Sequence, residues 1–136
     1  MPTLVLDTNI VLDLFVFADA RARALHEHLQ RGEANWLATV AMRDELERVL
    51  AYAHIESRLD FSRLQAGDVL AHFDRHARIV EVAAKAPVTC KDPDDQKFID
   101  LAVAHRSMLL SKDAAVLAMT KRLALLDVVA APVLPA

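Results

Sequence analysis

The chain is poor in the residues that build disulfide scaffolds, flexible linkers and aromatic binding surfaces. Its 136 residues include one cysteine, two glycines, one tryptophan and one tyrosine. The single cysteine, Cys90, cannot form an internal disulfide, which favours a reducing compartment. The sequence contains no apolar run near the roughly 20 residues that span a bilayer, and its start lacks the pattern of a secretory signal. We therefore expect a cytoplasmic protein with no membrane partner.

The chain also lacks an excess of basic residues. It carries 16 lysines and arginines against 19 acidic residues, a net charge of -3. This balance argues against a protein that holds nucleic acid through a broad basic surface. A site where several carboxylates converge on metal ions would be an exception, because the charge of the ions then dominates the local potential.

Apolar residues make up 54% of the chain, enough for one hydrophobic core, whereas the length is too short for two ordinary domains. We expect a single domain over residues 1–136. Short apolar runs of strand length alternate with longer segments of helical period, which predicts an α/β fold with a parallel sheet covered on both faces. In such sheets, ligands bind at the carboxyl ends of the strands.

The expected elements follow from these periods and from the positions of capping residues. Gly32 is the expected C-cap of the second helix, and Ser62 the expected N-cap of the fourth. The predicted strands are 3–6, 35–38, 79–82, 108–110 and 128–129, and the predicted helices are 8–17, 19–30, 40–52, 61–76, 92–105 and 114–125.

Two aspartates directly follow predicted strands. Asp7 comes after the run TLVL, and Asp113 comes after MLL and Ser111. Both therefore belong at the carboxyl end of the predicted sheet. The alternative is that each carboxylate only caps the helix that follows it.

A glutamate lies at the edge of a buried helix stripe. Glu45 stands three residues after Met42 and four before Val49, so it borders the apolar face of the helix from residue 40. The alternative is a boundary glutamate that pairs with Arg43 or Arg48.

The segment KDPDDQKFIDLAVAH repeats this arrangement. Asp95 shares a helix face with Phe98 and should point inward, whereas Asp100 should point outward. The alternative is that Asp95, with Asp92 and Asp94, only interacts with the dipole of the helix N-terminus.

Four carboxylates at one rim would repel each other. Two of them about 5 Å apart cost roughly 3 kcal/mol at an effective dielectric of about 20, so either protons or cations must compensate. Oxygen ligands without Cys or His favour Mg²⁺ or Mn²⁺. Such ions acidify a water and neutralise the oxygens of a phosphodiester. We therefore expect phosphodiester hydrolysis, with the same four residues as metal ligands and catalytic groups: Asp7, Glu45, Asp95 and Asp113.

Four segments between residues 4 and 117 resemble the PIN-domain family, in the branch described as toxin components of toxin–antitoxin systems. They are LVLDTNIVLD, RDELERVL, CKDPDDQKFIDLA and LLSKDAAVL. The resemblance implies a PIN-like three-layer α/β/α sandwich with a central, mostly parallel sheet of four to five strands. It also implies a Mg²⁺ or Mn²⁺ site and an endoribonuclease, a hydrolase that cuts single-stranded RNA. The candidate partners are RNA, an antitoxin protein and a second copy of the chain.

The four acids of the family fall on Asp7, Glu45, Asp95 and Asp113. Supporting positions fall on three more residues: Thr8 and Asn9, which match positions that support the first acid, and Ser111, which matches a small hydroxyl residue before the last acid.

The chain departs from the family at one of these segments. The usual Thr-Gly-Asp is Ser111-Lys112-Asp113, and a lysine cannot reach positive φ as easily as glycine. We therefore expect a reshaped loop at Asp113, which keeps open a catalytically inactive PIN-like binding module. Another alternative is phosphotransfer through an aspartyl phosphate on Asp7, although position 9 is Asn where haloacid-dehalogenase-like phosphatases carry a second acid.

Several other side chains have a weaker functional interpretation. His72 and His76 are four apart on a predicted helix, but no acid accompanies them as in zinc-binding helices. Four basic residues flank the proposed acids in sequence and are candidates to bind RNA phosphates, with surface ion pairs as the alternative: Arg43, Lys91, Lys97 and Lys112.

Overall fold

The central strand is built from the first apolar run of the chain. A computed structural model describes residues 1–135, and its first strand, β1, is Thr3–Leu6. Leu4, Val5 and Leu6 are at most 3% exposed. Because successive side chains of a strand point to opposite faces, other elements must cover both faces of β1. This burial is what a sheet between two helical layers requires.

Five parallel strands form the sheet, in the order β3-β2-β1-β4-β5. The four strands besides β1 are β2 Asn35–Ala38, β3 Ala77–Ile79, β4 Met108–Leu110 and β5 Ala130–Ala131. The chain first builds outward from β1 to β3, then returns to the other side of β1 and builds β4 and β5. The α/β fold with a central parallel sheet is confirmed, and its topological switch point lies between β1 and β4, where open α/β sheets bind ligands.

Eight α-helices connect the strands within residues 1–135. Two of them, α2 and α6, follow directly on the short 3-10 turns Ala20–Ala22 and Pro93–Asp95. The helices are α1 Thr8–Phe15, α2 Arg23–Gln30, α3 Val40–Leu50, α4 Ala53–Phe61, α5 Ala66–His76, α6 Gln96–His105, α7 Ala114–Leu117 and α8 Thr120–Ala124.

The predicted helix 61–76 is wrong at its start. An additional helix, α4, ends at Phe61, and Ser62 is its C-cap instead of an N-cap. Arg63 then adopts a positive φ of 56°, which breaks the helical path before α5 begins at Ala66. The buried pair Ile55 and Leu59, four residues apart, is the one sequence signal for α4.

Other boundaries also differ from the prediction, and the predicted helices 8–17 and 40–52 end two residues early, at Phe15 and Leu50. Strand β3 follows α5 immediately at 77–79 instead of 79–82, and β5 lies at 130–131 instead of 128–129, although it is an edge strand as expected. The predicted helix 114–125 is two short helices, separated at Met119, whose φ of -96° and ψ of 5° depart from helical values.

The core is one cluster of buried side chains around β1, β2 and β4. Trp36 is buried in β2 and packs edge-on against Phe73 of α5 at a ring-centroid distance of 5.0 Å. None of the helices within residues 1–135 has the length and apolar character needed to cross a membrane.

Replacing Leu109 with Ala tests the contribution of the sheet centre to stability. Leu109 is fully buried in β4, so its truncation should lower the free energy of unfolding by about 2–5 kcal/mol in urea denaturation. The matched control is Leu125→Ala, because Leu125 is 86% exposed and its loss should change stability by less than about 0.5 kcal/mol. Equal losses in both variants would contradict this assignment of the core.

Candidate metal centre

The sheet brings two aspartates to the same edge. Leu6 of β1 lies opposite Leu110 of β4, so the residues that follow these strands meet at the carboxyl end of the sheet. The main-chain N–H of Asp7 donates to the carbonyl of Leu110 at 3.0 Å, which extends the pairing by one step. The predicted meeting of the two strand ends is therefore present in the structure.

Asp7 is buried and held in place by hydrogen bonds. Its carboxylate accepts from the Ser111 hydroxyl at 2.7 Å and from the main-chain N–H of Asn9 at 3.3 Å, so it also caps α1. Burial raises the pKa of Asp7, the Ser111 hydrogen bond opposes this shift, and the charges of Asp113 and Glu45 add to it. The capping alternative is therefore present in the structure, and the same side chain lies at the carboxyl end of the sheet.

Ser111 links the two strand-end aspartates. Its fully buried hydroxyl donates to Asp7 and accepts from the main-chain N–H of Asp113 at 3.1 Å. Asp113 in turn caps α7 by accepting from the N–H of Ala115 at 2.8 Å. Ser111 therefore holds both aspartates through hydrogen bonds.

The lysine in this segment does not strain the backbone. Positive φ values of non-glycine residues in the described chain occur at Ala18, Arg63, Arg106 and Asp127, and not at Lys112. The Lys112 ammonium instead lies 2.6 Å from the buried carboxylate of Asp13. Lys112 therefore lies outside the positive-φ region, and the absence of glycine imposes no backbone penalty on the loop that carries Asp113.

Asp95 points inward, as predicted. It ends the 3-10 turn before α6, is 6% exposed, and its Oδ2 atom has no hydrogen-bond partner within residues 1–135. One oxygen from each of three aspartates, Asp92, Asp95 and Asp113, lies within 4.8 Å of the others. We call these three residues the aspartate cluster.

Asp92 is the member of the cluster that the sequence interpretation missed. The sequence placed Asp92 at the start of the helix 92–105, the position of an N-cap, and its carboxylate does cap the 3-10 turn by accepting from the N–H of Asp94 at 3.0 Å. The same side chain also faces Asp95 and Asp113. The capping signal was correct, but a cap residue gives no sign of which other side chains stand beside it.

The loop before Asp92 is held by two side chains of α6. The Gln96 amide donates to the carbonyl of Val88 at 3.0 Å and accepts from the N–H of Cys90 at 2.7 Å. Asp100, which we expected to point to solvent, is half-buried and accepts from the N–H of Ala86 at 2.8 Å. That expectation was wrong, because the loop folds back over the outer face of α6.

Glu45 lies at the edge of the site with partners of its own. Its Oε1 accepts from the Thr8 hydroxyl at 2.6 Å, and its Oε2 contacts the Lys97 ammonium. The Thr8 hydroxyl therefore supports Glu45. The family position had suggested that Thr8 would support Asp7 instead. The anticipated ion pair of Glu45 with Arg43 or Arg48 is absent from the described residues.

Most of the candidate phosphate-binding residues already have acidic partners. Arg43 makes two hydrogen bonds to Asp74, at 2.7 and 2.8 Å. Lys97 pairs with Glu45, and Lys112 pairs with Asp13. Lys91 is exposed and has no ion pair within residues 1–135. Ion pairing is therefore the observed state of three of the four.

The histidine pair takes part in packing. His72 and His76 lie nearly parallel to the ring of Phe15, with centroid distances of 5.1 and 6.2 Å. Within residues 1–135, no three metal-binding side chains other than the aspartate cluster have ligand atoms this close together. Cys90 is buried, and burial raises the pKa of its thiol, which makes it a poor nucleophile.

The charge state of the cluster is unusual for aspartates. Burial, the adjacent carboxyl group of Asp113 and the charge of Asp7 raise the pKa of Asp95 to about 7. Protons can therefore compensate the repulsion at low pH, but not above neutrality. An unpartnered buried carboxylate oxygen beside two further carboxylates is a donor set that suits a hard dication such as Mg²⁺ or Mn²⁺.

The raised pKa of Asp95 predicts how the stability of the metal-free protein depends on pH. Because the folded state binds this proton more tightly than the unfolded state, the contribution to stability is complete below about pH 4 and is lost as the pH rises through about 7. The melting temperature of metal-free protein should therefore fall between about pH 5 and pH 8, and Asp95→Asn should reduce this fall. Asp94→Asn, at an exposed neighbour, should leave it unchanged. Parallel profiles for the parent protein and Asp95→Asn would contradict the assignment.

Comparison with known proteins agrees with the sheet and the acidic edge. The sequence profile of the family described as PIN domain matches residues 3–115, a range that includes Asp7, Glu45 and the aspartate cluster. No curated protein matches the chain. Since the profile covers most of the chain, the protein belongs to the PIN-domain family.

Proposed function

We propose that the protein is a divalent-metal-dependent endoribonuclease that hydrolyses phosphodiester bonds in single-stranded RNA. The observation that carries the proposal is the buried, unpartnered Oδ2 of Asp95 within a cluster of three aspartates at the switch point of the sheet. Membership of a family whose members are generally nucleases supports the same reaction class. The choice of RNA rests on the resemblance of the four sequence segments.

The residues of the site divide into ligands and supports. Asp92, Asp95 and Asp113 would hold the ion, with Asp7 beside them and Glu45 completing the acidic edge. A bound Mg²⁺ or Mn²⁺ supplies the positive charge that acidifies a water and neutralises the oxygens of the phosphodiester. Ser111 orients the carboxylate of Asp7 and the backbone of Asp113.

One exposed lysine is available to contact the RNA. Lys91, exposed in the loop before the aspartate cluster, is the candidate to contact an RNA phosphate, because its ammonium has no acidic partner in the described chain. A toxin role with an antitoxin partner, a homodimer and a cytoplasmic location complete the proposal. They rest on the family branch and on the single cysteine of the sequence.

The two alternative functions lose support. An inactive binding module was attractive because of Lys112, but the segment retains Asp113 beside Asp95. Phosphotransfer through Asp7 needs an accessible carboxylate, whereas Asp7 is buried and hydrogen-bonded to Ser111. Hydrolysis with the help of a metal ion is the reaction that this arrangement favours.

Cleavage of a labelled single-stranded RNA in Mn²⁺ tests the proposal directly. Asp95→Asn and Asp7→Asn should each lower the cleavage rate by more than about 100-fold, since even residues that only support metal ligands contribute about 10- to 100-fold. The matched control is Asp94→Asn, an exposed aspartate in the same motif that lies outside the cluster. Chelation with EDTA should abolish cleavage.

Each part of the proposal has a separate contrary outcome. Full activity of purified Asp7→Asn or Asp95→Asn would contradict the assignment of these residues to the site. Activity that persists in EDTA would contradict the metal requirement. Cleavage of single-stranded DNA in place of RNA would contradict the proposed substrate but not the reaction class.

Replacing Ser111 with Ala tests the support of the two strand-end aspartates. The change removes the hydroxyl that both Asp7 and the backbone of Asp113 use, so the cleavage rate should fall about 10- to 100-fold while the protein stays folded. Ser107→Ala is the matched control, because Ser107 is a buried serine at the opposite end of β4. Similar rates for the two variants would show that Ser111 is not a positioning residue.

A further inference from the structure

Glu45 differs from the aspartate cluster in how its charge is compensated, although its charge still acts on Asp7. The aspartate cluster comprises Asp92, Asp95 and Asp113 and does not include Glu45. Both carboxylate oxygens of Glu45 already have partners, since Oε1 accepts from the Thr8 hydroxyl and Oε2 contacts the Lys97 ammonium. Asp95, in contrast, retains an oxygen with no partner. The need for an additional cation is therefore concentrated at the cluster.

The Lys97 ammonium is held in position by more than the ion pair. It donates to the main-chain carbonyl of Asp94 at 2.6 Å and lies 4.9 Å from the ring centroid of Phe98. Its side chain is 29% exposed and that of Glu45 is 20% exposed. A lysine fixed by an acid, a carbonyl and an aromatic ring loses the mobility that makes surface ion pairs weak.

The position of Lys97 in the chain places this charge beside the cluster. Lys97 follows Asp95 by two residues in the first turn of α6, and the carbonyl it binds belongs to Asp94, between two members of the cluster. A positive charge at this point balances Glu45 and repels a dication that would approach Glu45.

We propose that the Lys97 ammonium takes the place of a second divalent ion, so that the chain binds one Mg²⁺ or Mn²⁺ at the aspartate cluster and Glu45 is not a metal ligand. This inference rests on the proposed function, because it assumes that the cluster binds a metal. It departs from our sequence-based prediction that all four acids share the ligation.

Titration with Mn²⁺ alone, followed by the electron paramagnetic resonance signal of the free ion, tests the proposal without any measurement of activity. The parent protein should bind about one Mn²⁺ per chain. Lys97→Met retains the apolar stem of the side chain but removes the charge, so Glu45 becomes available and about two ions should bind. The double variant Lys97→Met with Glu45→Gln should return to about one ion.

The control for the loss of one positive charge is Lys121→Met, at an exposed lysine on α8, which should bind about one ion like the parent. Two ions bound by the parent protein, or an unchanged single ion in Lys97→Met, would overturn the role of Lys97 while leaving the metal-dependent site intact. No binding of Mn²⁺ by the parent would contradict the proposed metal site itself. Two ions bound by the parent protein would overturn the proposal even if a variant fails to fold.

Discussion

Carboxylate repulsion at the carboxyl ends of β1 and β4 is the constraint on which the site depends. The parallel register of the two strands brings the residues after Leu6 and Leu110 together, whatever side chains these residues carry. In this chain they are acidic or support an acid, and Asp7 is buried there. A buried carboxylate loses the stabilisation of water, so each one requires a hydrogen bond, a proton or a cation.

The chain meets this requirement differently at each acid. Asp7 accepts a hydrogen bond from a buried serine, whereas Glu45 and Asp13 each pair with a lysine. Asp95 alone combines burial, an unpartnered oxygen and a pKa of about 7. This uneven compensation concentrates the remaining negative charge in the aspartate cluster, where a hard dication can neutralise it.

Strand ends and capping residues could be predicted, whereas neighbours across the fold could not. The bounds of β1, β2 and β4 agree with their apolar runs, because a short buried run has one favourable conformation in a parallel sheet. The start of α5 was missed because the positive φ of Arg63 has no signature in side-chain chemistry. Asp92 was interpreted only as a cap, and Thr8 was assigned to the wrong acid, because the partner of each is distant in sequence.

The amino-acid sequence by itself determined the alternation of strands and helices, the position of Asp7 after β1 and the inward direction of Asp95, because these depend on local period and burial. Only the tertiary structure decided which charges meet. Lys97 and Lys112, both candidates for RNA phosphates by their place in the sequence, instead neutralise Glu45 and Asp13. Electrostatic energy depends on distance in space, and the chain encodes that distance only through the packing of the complete fold.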